Sequence, residues 1–186
     1  MAADRPDGGG GPASPPVQSS VRRALAWLLT VEAAVASLAF AGVAALILFD
    51  VLGREFFNKG LFGAQKYAVY ATVVAGFLGL VLATATGRHL KAEVARPLTP
   101  PAWDAAVERL SDLVSAAMFI VLGVVALIYV SETFAADERA AVLYIPIWPM
   151  QLVLPYAFFS CALRHLVFAA FPALRPDGNA EAGGGM

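Results

Sequence analysis

Apolar residues in this chain run in long unbroken blocks, without the alternation of a strand or the narrow stripe of a surface helix. Ala33–Phe49 carries no charge, and neither does Tyr67–Gly87. A helix that crosses a bilayer needs about 20 mostly apolar residues. Four segments meet that length: residues 24–49, 63–86, 110–134 and 146–171. They predict an all-α integral membrane protein with four transmembrane helices, forming one domain over residues 21–171. The first segment is interrupted only by Glu32, a few residues inside the Arg22-Arg23 edge. Glu32 is expected to snorkel to that surface, with pairing to a neighbouring helix as the alternative. In the second segment Gly76 and Gly79, with Ala71, Ala75 and Ala83, offer a small-residue surface suited to close helix packing. Thr99-Pro100-Pro101 reads as the start of the third helix, with Thr as N-cap and Pro in the first turn. Trp103, Val107, Leu110 and Val114 make an apolar stripe there, and Asp104, Glu108, Ser111 and Asp112 a polar one. This predicts an interfacial amphipathic extension before the third span, with Leu113–Ser131 crossing. Pro149 and Pro155 are expected to bend the start of the fourth helix.

The stretch Phe49–Tyr67 puts Asp50, Arg54, Glu55, Lys59 and Lys66 between two charge-free runs. Charges so close to hydrocarbon are costly unless they reach headgroups or pair. Asp50 and Arg54, and likewise Glu55 and Lys59, stand four apart and share a helix face. Asn58-Lys59-Gly60 reads as a turn, since Asn and Gly tolerate positive φ. The stretch is therefore a hairpin tip at a membrane surface. It is either a solvated helix end or a surface that meets another protein. In the second outer loop, Tyr144 and Trp148 suit an aromatic interface anchor, and tryptophan equally suits a protein contact. Gln65 and Gln151 each follow an aromatic residue after one of these loops.

Composition sharpens this picture. The 186 residues are 59% hydrophobic with mean hydropathy +0.69, above the roughly 45–50% apolar content of soluble domains. A net charge of −1 supplies no bulk attraction for nucleic acid. Residues 1–20 and 172–186 are rich in Gly and Pro and are expected to be disordered tails. Arg22-Arg23 before an apolar run resembles a twin-arginine signal, but the run is too long for one and reads as a retained span. Cys161 is the single cysteine, so no intrachain disulfide forms; it is expected in the core or facing lipid. Arg22, Arg23, Arg88, Lys91, Arg96, Arg109, Arg164 and Arg175 flank one side of the four spans, against Arg54, Lys59, Lys66 and Arg139 on the other. The positive-inside rule then puts both termini in the cytoplasm and the Asp50–Phe62 tip outside.

Candidate chemistry is sparse. His89 and His165 are the only histidines, and two helix-borne imidazoles are able to ligate haem, as in a cytochrome b-type membrane anchor. Both stand in basic flanks beside Arg88 and Arg164, however, and read as headgroup contacts together with Arg22, Arg23 and Lys91. No nucleophile–base arrangement, phosphate-binding glycine pattern or HExxH occurs. Catalytic residues, metal ligands and cofactors are therefore not expected. The mid-span polar residues Ser37, Thr72, Thr84, Ser115 and Ser160 are hydroxyls, which commonly bond back to their own helix. A chain without mid-span acids is a poor pump or channel by itself. It reads as a subunit, or alternatively as a free-standing membrane scaffold.

The order of motifs adds one further reading. Asp50-x-x-Gly53-Arg54-x-x-Phe57-Asn58, Gly63-Ala64-Gln65-Lys66, Gly87-Arg88-His89-Leu90-Lys91, Ile145-Pro146-x-Trp148-x-x-Gln151, Pro155 and Arg164 follow one another around four spans. This resembles the small permease (DctQ-type) subunit of tripartite ATP-independent periplasmic (TRAP) transporters, over about Arg22 to Phe171. The family commonly carries acidic residues where Gln65 and Lys66 stand, and a His-x-x-Val-Asp type ending where Lys91-Ala92-Glu93 stands. The resemblance implies a bacterial inner-membrane protein that scaffolds a large permease subunit. It also implies a periplasmic solute-binding protein as partner and ion-coupled uptake of a small solute such as an organic acid. On that reading Asp50, Arg54, Glu55, Lys59, Gln65, Lys66, Trp148 and Gln151 form the expected docking surface.

Overall fold

The computed structural model describes residues 16–86, 104–141 and 143–174. Its helices are α1 (Pro16–Phe57), α2 (Ala64–Ala85), α3 (Asp104–Ala135), the short α4 (Trp148–Gln151) and α5 (Val153–Ala170), followed by a 3-10 turn at Pro172–Leu174. Four helical stretches are long and apolar enough to cross a membrane, with Trp148–Ala170 counted as one. α1 packs along α2, α3 along α5, and contact between α2 and α5 joins the two hairpins.

Helix α1 outruns the predicted span at both ends. It starts at Pro16, so residues 16–20, expected in the tail, are helical. It also continues past Phe49 for two turns, since no proline occurs before Asn58 and one glycine, Gly53, is tolerated within the helix. Asn58 takes φ 50°, and the Lys59 N–H returns to the Gly53 carbonyl at 3.2 Å, which ends the helix. At the close of α3, Asp137 takes φ 48° while its N–H bonds Phe134 and the Glu138 N–H bonds Thr133. That paired return is a Schellman stop made with aspartate in place of glycine. The predicted start of the third helix, including Trp103, lies outside the described residues.

α4 and α5 meet at Leu152. Pro155 has no N–H to offer the Gln151 carbonyl four residues back, so one bond of the helical ladder is missing there. Leu152 nevertheless keeps helical φ −59° and ψ −21°, and its N–H bonds the Trp148 carbonyl at 3.2 Å, so the chain stays helical across the join.

The core lies where α2, α3 and α5 meet. Val81, Phe119, Ala157, Cys161 and Ala162 are buried, with Phe77, Leu80 and Phe158 against them. Phe77 and Phe158 meet edge to face at 5.7 Å. A Cβ on Gly123 would stand 2.9 Å from the Phe159 ring, so glycine lets α3 and α5 approach closely. Gly76 and Gly79 behave differently. A Cβ on either would meet nothing within 4 Å, so among the described residues neither glycine of the expected packing surface serves a close helix approach, while Ala71, Ala75 and Ala83 are half-buried.

Candidate functional site

The tip between α1 and α2 is built around one carboxylate. Asp50 is 6% exposed although it stands at the end of an apolar run. Its Oδ2 accepts from Arg54 Nε at 3.1 Å and pairs with Nη2 at 2.9 Å, while Oδ1 accepts the Leu61 N–H at 2.8 Å. One side chain therefore ties the last turns of α1 to the chain that returns toward α2. Close approach needs small residues here. A Cβ on Gly60 would stand 2.8 Å from both Asp50 Oδ1 and Arg54 Nε, and one on Gly53 would stand 2.8 Å from the Lys59 carbonyl oxygen.

The remaining tip charges are placed differently. Glu55 and Lys59 are exposed and, among the described residues, form no ion pair with each other. The helix ends at Phe57, so their four-residue spacing no longer puts them on one face. Gln65 and Lys66 are exposed on the first turn of α2. Phe56 and Phe57, at the end of α1, and Phe62, in the loop that follows, are exposed.

The second loop adjoins this tip. Gly63 takes φ 75°, and a Cβ there would come within 2.5 Å of Leu143 Cδ2. Trp148 lies edge-on to Phe134 at 5.4 Å. Gln151 Nε2 donates to Tyr129 Oη at 3.2 Å, and its buried Oε1 has no partner among the described residues. The residues expected to dock a partner therefore stand on the helix ends and loops at one end of the bundle.

The other polar cluster lies within the helices. Glu32 is buried, and its Oε2 pairs with Arg164 Nη2 at 2.5 Å. Oε1 accepts from the Tyr156 and Ser160 hydroxyls, each at 2.8 Å. Arg164 Nη1 also donates to Ser160 Oγ at 2.5 Å. This corrects two expectations. Glu32 does not snorkel, and Arg164 is not a headgroup contact; each side chain is 1% exposed and spends its charge on the other. Isolated charges in such surroundings cost several kcal/mol, roughly, unless paired and hydrogen-bonded. Tyr156, Ser160 and Arg164 recur every four residues and so share one face of α5. That face, set against a lone acid on α1, is the sequence signal for the cluster.

The expected helix-backbone hydroxyl bonds form at Thr72, to Ala68, and at Thr84, to Leu80, whereas Ser160 turns to Glu32. Cys161 lies in the core, with its sulfur 3.3 Å from the Thr84 hydroxyl. His165 Nδ1 is 3.3 Å from Asp112 Oδ1, and its ring stacks on Phe119 at 5.7 Å, so it faces α3 and is not a headgroup contact. Arg22 and Arg23 are exposed. Arg88, His89 and Lys91 lie outside the described residues. No group of three His, Cys, Asp or Glu suited to a metal ion occurs among the described residues.

No curated protein matches the sequence. Residues 43–171 match the family of tripartite ATP-independent periplasmic transporters, DctQ component. The match begins within α1 and runs through the end of α5, so it takes in the Asp50 tip, Trp148 and Arg164. A multi-pass bundle of four apolar helices, matched over most of its length, belongs to the DctQ family of small TRAP transporter membrane subunits.

Proposed function

We propose that this chain scaffolds a large permease subunit and helps dock a periplasmic solute-binding protein during ion-coupled uptake of a small solute, such as an organic acid. The observation that carries the proposal is the Asp50-centred tip. It is a preorganised polar knob whose stretch of chain also exposes Phe56, Phe57 and Phe62, and it adjoins the second loop through Gly63 and Leu143. Aromatic residues around a fixed charged group are a common composition for protein contacts. The described charges that are buried within the helices neutralise each other, which suits a static brace better than a moving transport site. Family membership does not favour the haem-anchor reading.

The lysine and arginine bias supports an inner-membrane orientation with both termini cytoplasmic. Reporter fusions at Lys59 and Asp137 should then score outside. The wider proposal is tested by affinity purification from mild detergent. The full chain should bring down one large multi-span membrane protein, and a soluble binding protein should be retained only when the tip is intact. Recovery of the chain alone, with normal solute uptake in its absence, would refute it.

A further inference from the structure

A cavity of about 120 Å3 opens where α1 starts and where α2 and α5 finish, far from the Asp50 tip. α1 contributes Arg22, Leu25, Ala26 and Leu29, and α5 contributes Arg164 and Phe168. Ala85, at the end of α2, and Leu174, in the turn after α5, complete the wall. Among the described residues, two guanidiniums line this space and no carboxylate does. The Arg164 charge is already matched by Glu32, so among the described lining residues the cation open to a ligand is Arg22, which is exposed on α1. Leu25 and Leu29 continue one apolar face of α1 below it toward the interior of the span.

We propose that this cavity seats an anionic phospholipid, with its phosphate at Arg22 and the upper part of an acyl chain against Leu25, Leu29 and Phe168. Charge complementarity and wall chemistry together select this occupant. A small soluble anion gains only from one solvated arginine, which is worth little in water. An amphiphile gains from the cation and from the apolar wall at once. Basic pockets between transmembrane helices suit such headgroups, and the bilayer supplies them at high local concentration.

The test is lipid retention by the full chain, purified in uncharged detergent and weighed intact in the gas phase. Phosphatidylglycerol and phosphatidylcholine are supplied in equal amounts. Phosphatidylglycerol should be retained preferentially. Arg22→Gln should lower that retention about fivefold, as expected for removing one cation near a headgroup. Ala26→Phe fills the space without changing charge and should lower it comparably. Arg23→Gln removes a neighbouring exposed charge that does not line the cavity, and should leave retention nearly unchanged. Excess inorganic phosphate should not displace the lipid. The proposal is overturned if the two lipids are retained alike, or if Arg23→Gln acts as strongly as Arg22→Gln. It is also overturned if Ala26→Phe has no effect, or if inorganic phosphate competes. Should Arg22→Gln fail to insert, Ala26→Phe decides alone.

Discussion

Helix α1 carries two carboxylate–guanidinium pairs that solve opposite problems. Glu32 reaches a partner 132 residues away, and both side chains are 1% exposed. Asp50 reaches a partner four residues away, with the carboxylate 8% and the guanidinium 58% exposed. In the first pair each buried charge is matched by the other, and the Tyr156 and Ser160 hydroxyls donate to Glu32 Oε1 as well. In the second, solvent already serves Arg54, so the ion pair itself is worth about 0–1 kcal/mol. The more important partner of Asp50 is the Leu61 N–H, which closes the tip. Similar chemistry thus fastens one helix to another in the bundle interior and shapes a loop at its end.

The comparison is broken most severely at the buried pair. Glu32→Ala or Arg164→Ala should each remove about 3–5 kcal/mol by stranding the opposite charge. Thermal unfolding in detergent and membrane abundance report this. Glu32→Leu combined with Arg164→Met should recover most of the loss, because an apolar pair of similar volume needs no partner. If the single variants melt like the parent, α1 is held by other contacts. A smaller effect is expected at Asp50. Asp50→Ala leaves the Leu61 N–H unsatisfied, a loss of about 1–3 kcal/mol, and should lower uptake at matched membrane levels. Asp50→Asn keeps an acceptor and should be milder; equal damage from both would show that charge, not closure of the tip, matters there. The smallest stability effect belongs to Arg54→Ala, about 0–1 kcal/mol, with reduced uptake in cells as its main sign. Asp50→Ala with Arg54→Ala should then be milder than the sum of the two. Simple additivity would assign Arg54 to a partner protein or a lipid phosphate instead of Asp50.

The two pairs also differ in how much of each is legible in the sequence. Asp50 and Arg54 follow from spacing alone, since both lie on one helix and its period fixes their meeting. Leu61 does not, because its approach depends on how Gly60 lets the chain fold back. The same spacing rule fails at Glu55 and Lys59, where Asn58 stops the helix between them. Glu32 illustrates the wider limit. Hydropathy marks it as anomalous, but choosing between a route to water and a partner requires knowing which face of α5 lies opposite. The spans themselves are legible because apolar length is a local property. Their helical ends are not, since hydropathy reports where hydrocarbon stops while backbone hydrogen bonds report where the helix does. Hence Phe49 closes the predicted first span and Phe57 the observed helix.

The length of α1 also has a mechanical consequence. Its 42 residues make a rod about 63 Å long, roughly twice the thickness of the hydrocarbon layer. Exposed apolar side chains extend along it from Trp27 to Phe57, so an upright helix would lift much of that surface out of lipid. Tilting is the usual relief for such mismatch. The Glu32–Arg164 clasp is then a fulcrum, with Asp50 at the end of an arm of about 27 Å. A change in tilt of about 10° would swing that end sideways by about 5 Å. Membrane thickness thereby becomes an input to where the polar knob stands, and lipids of different chain length should shift its position without altering a single residue.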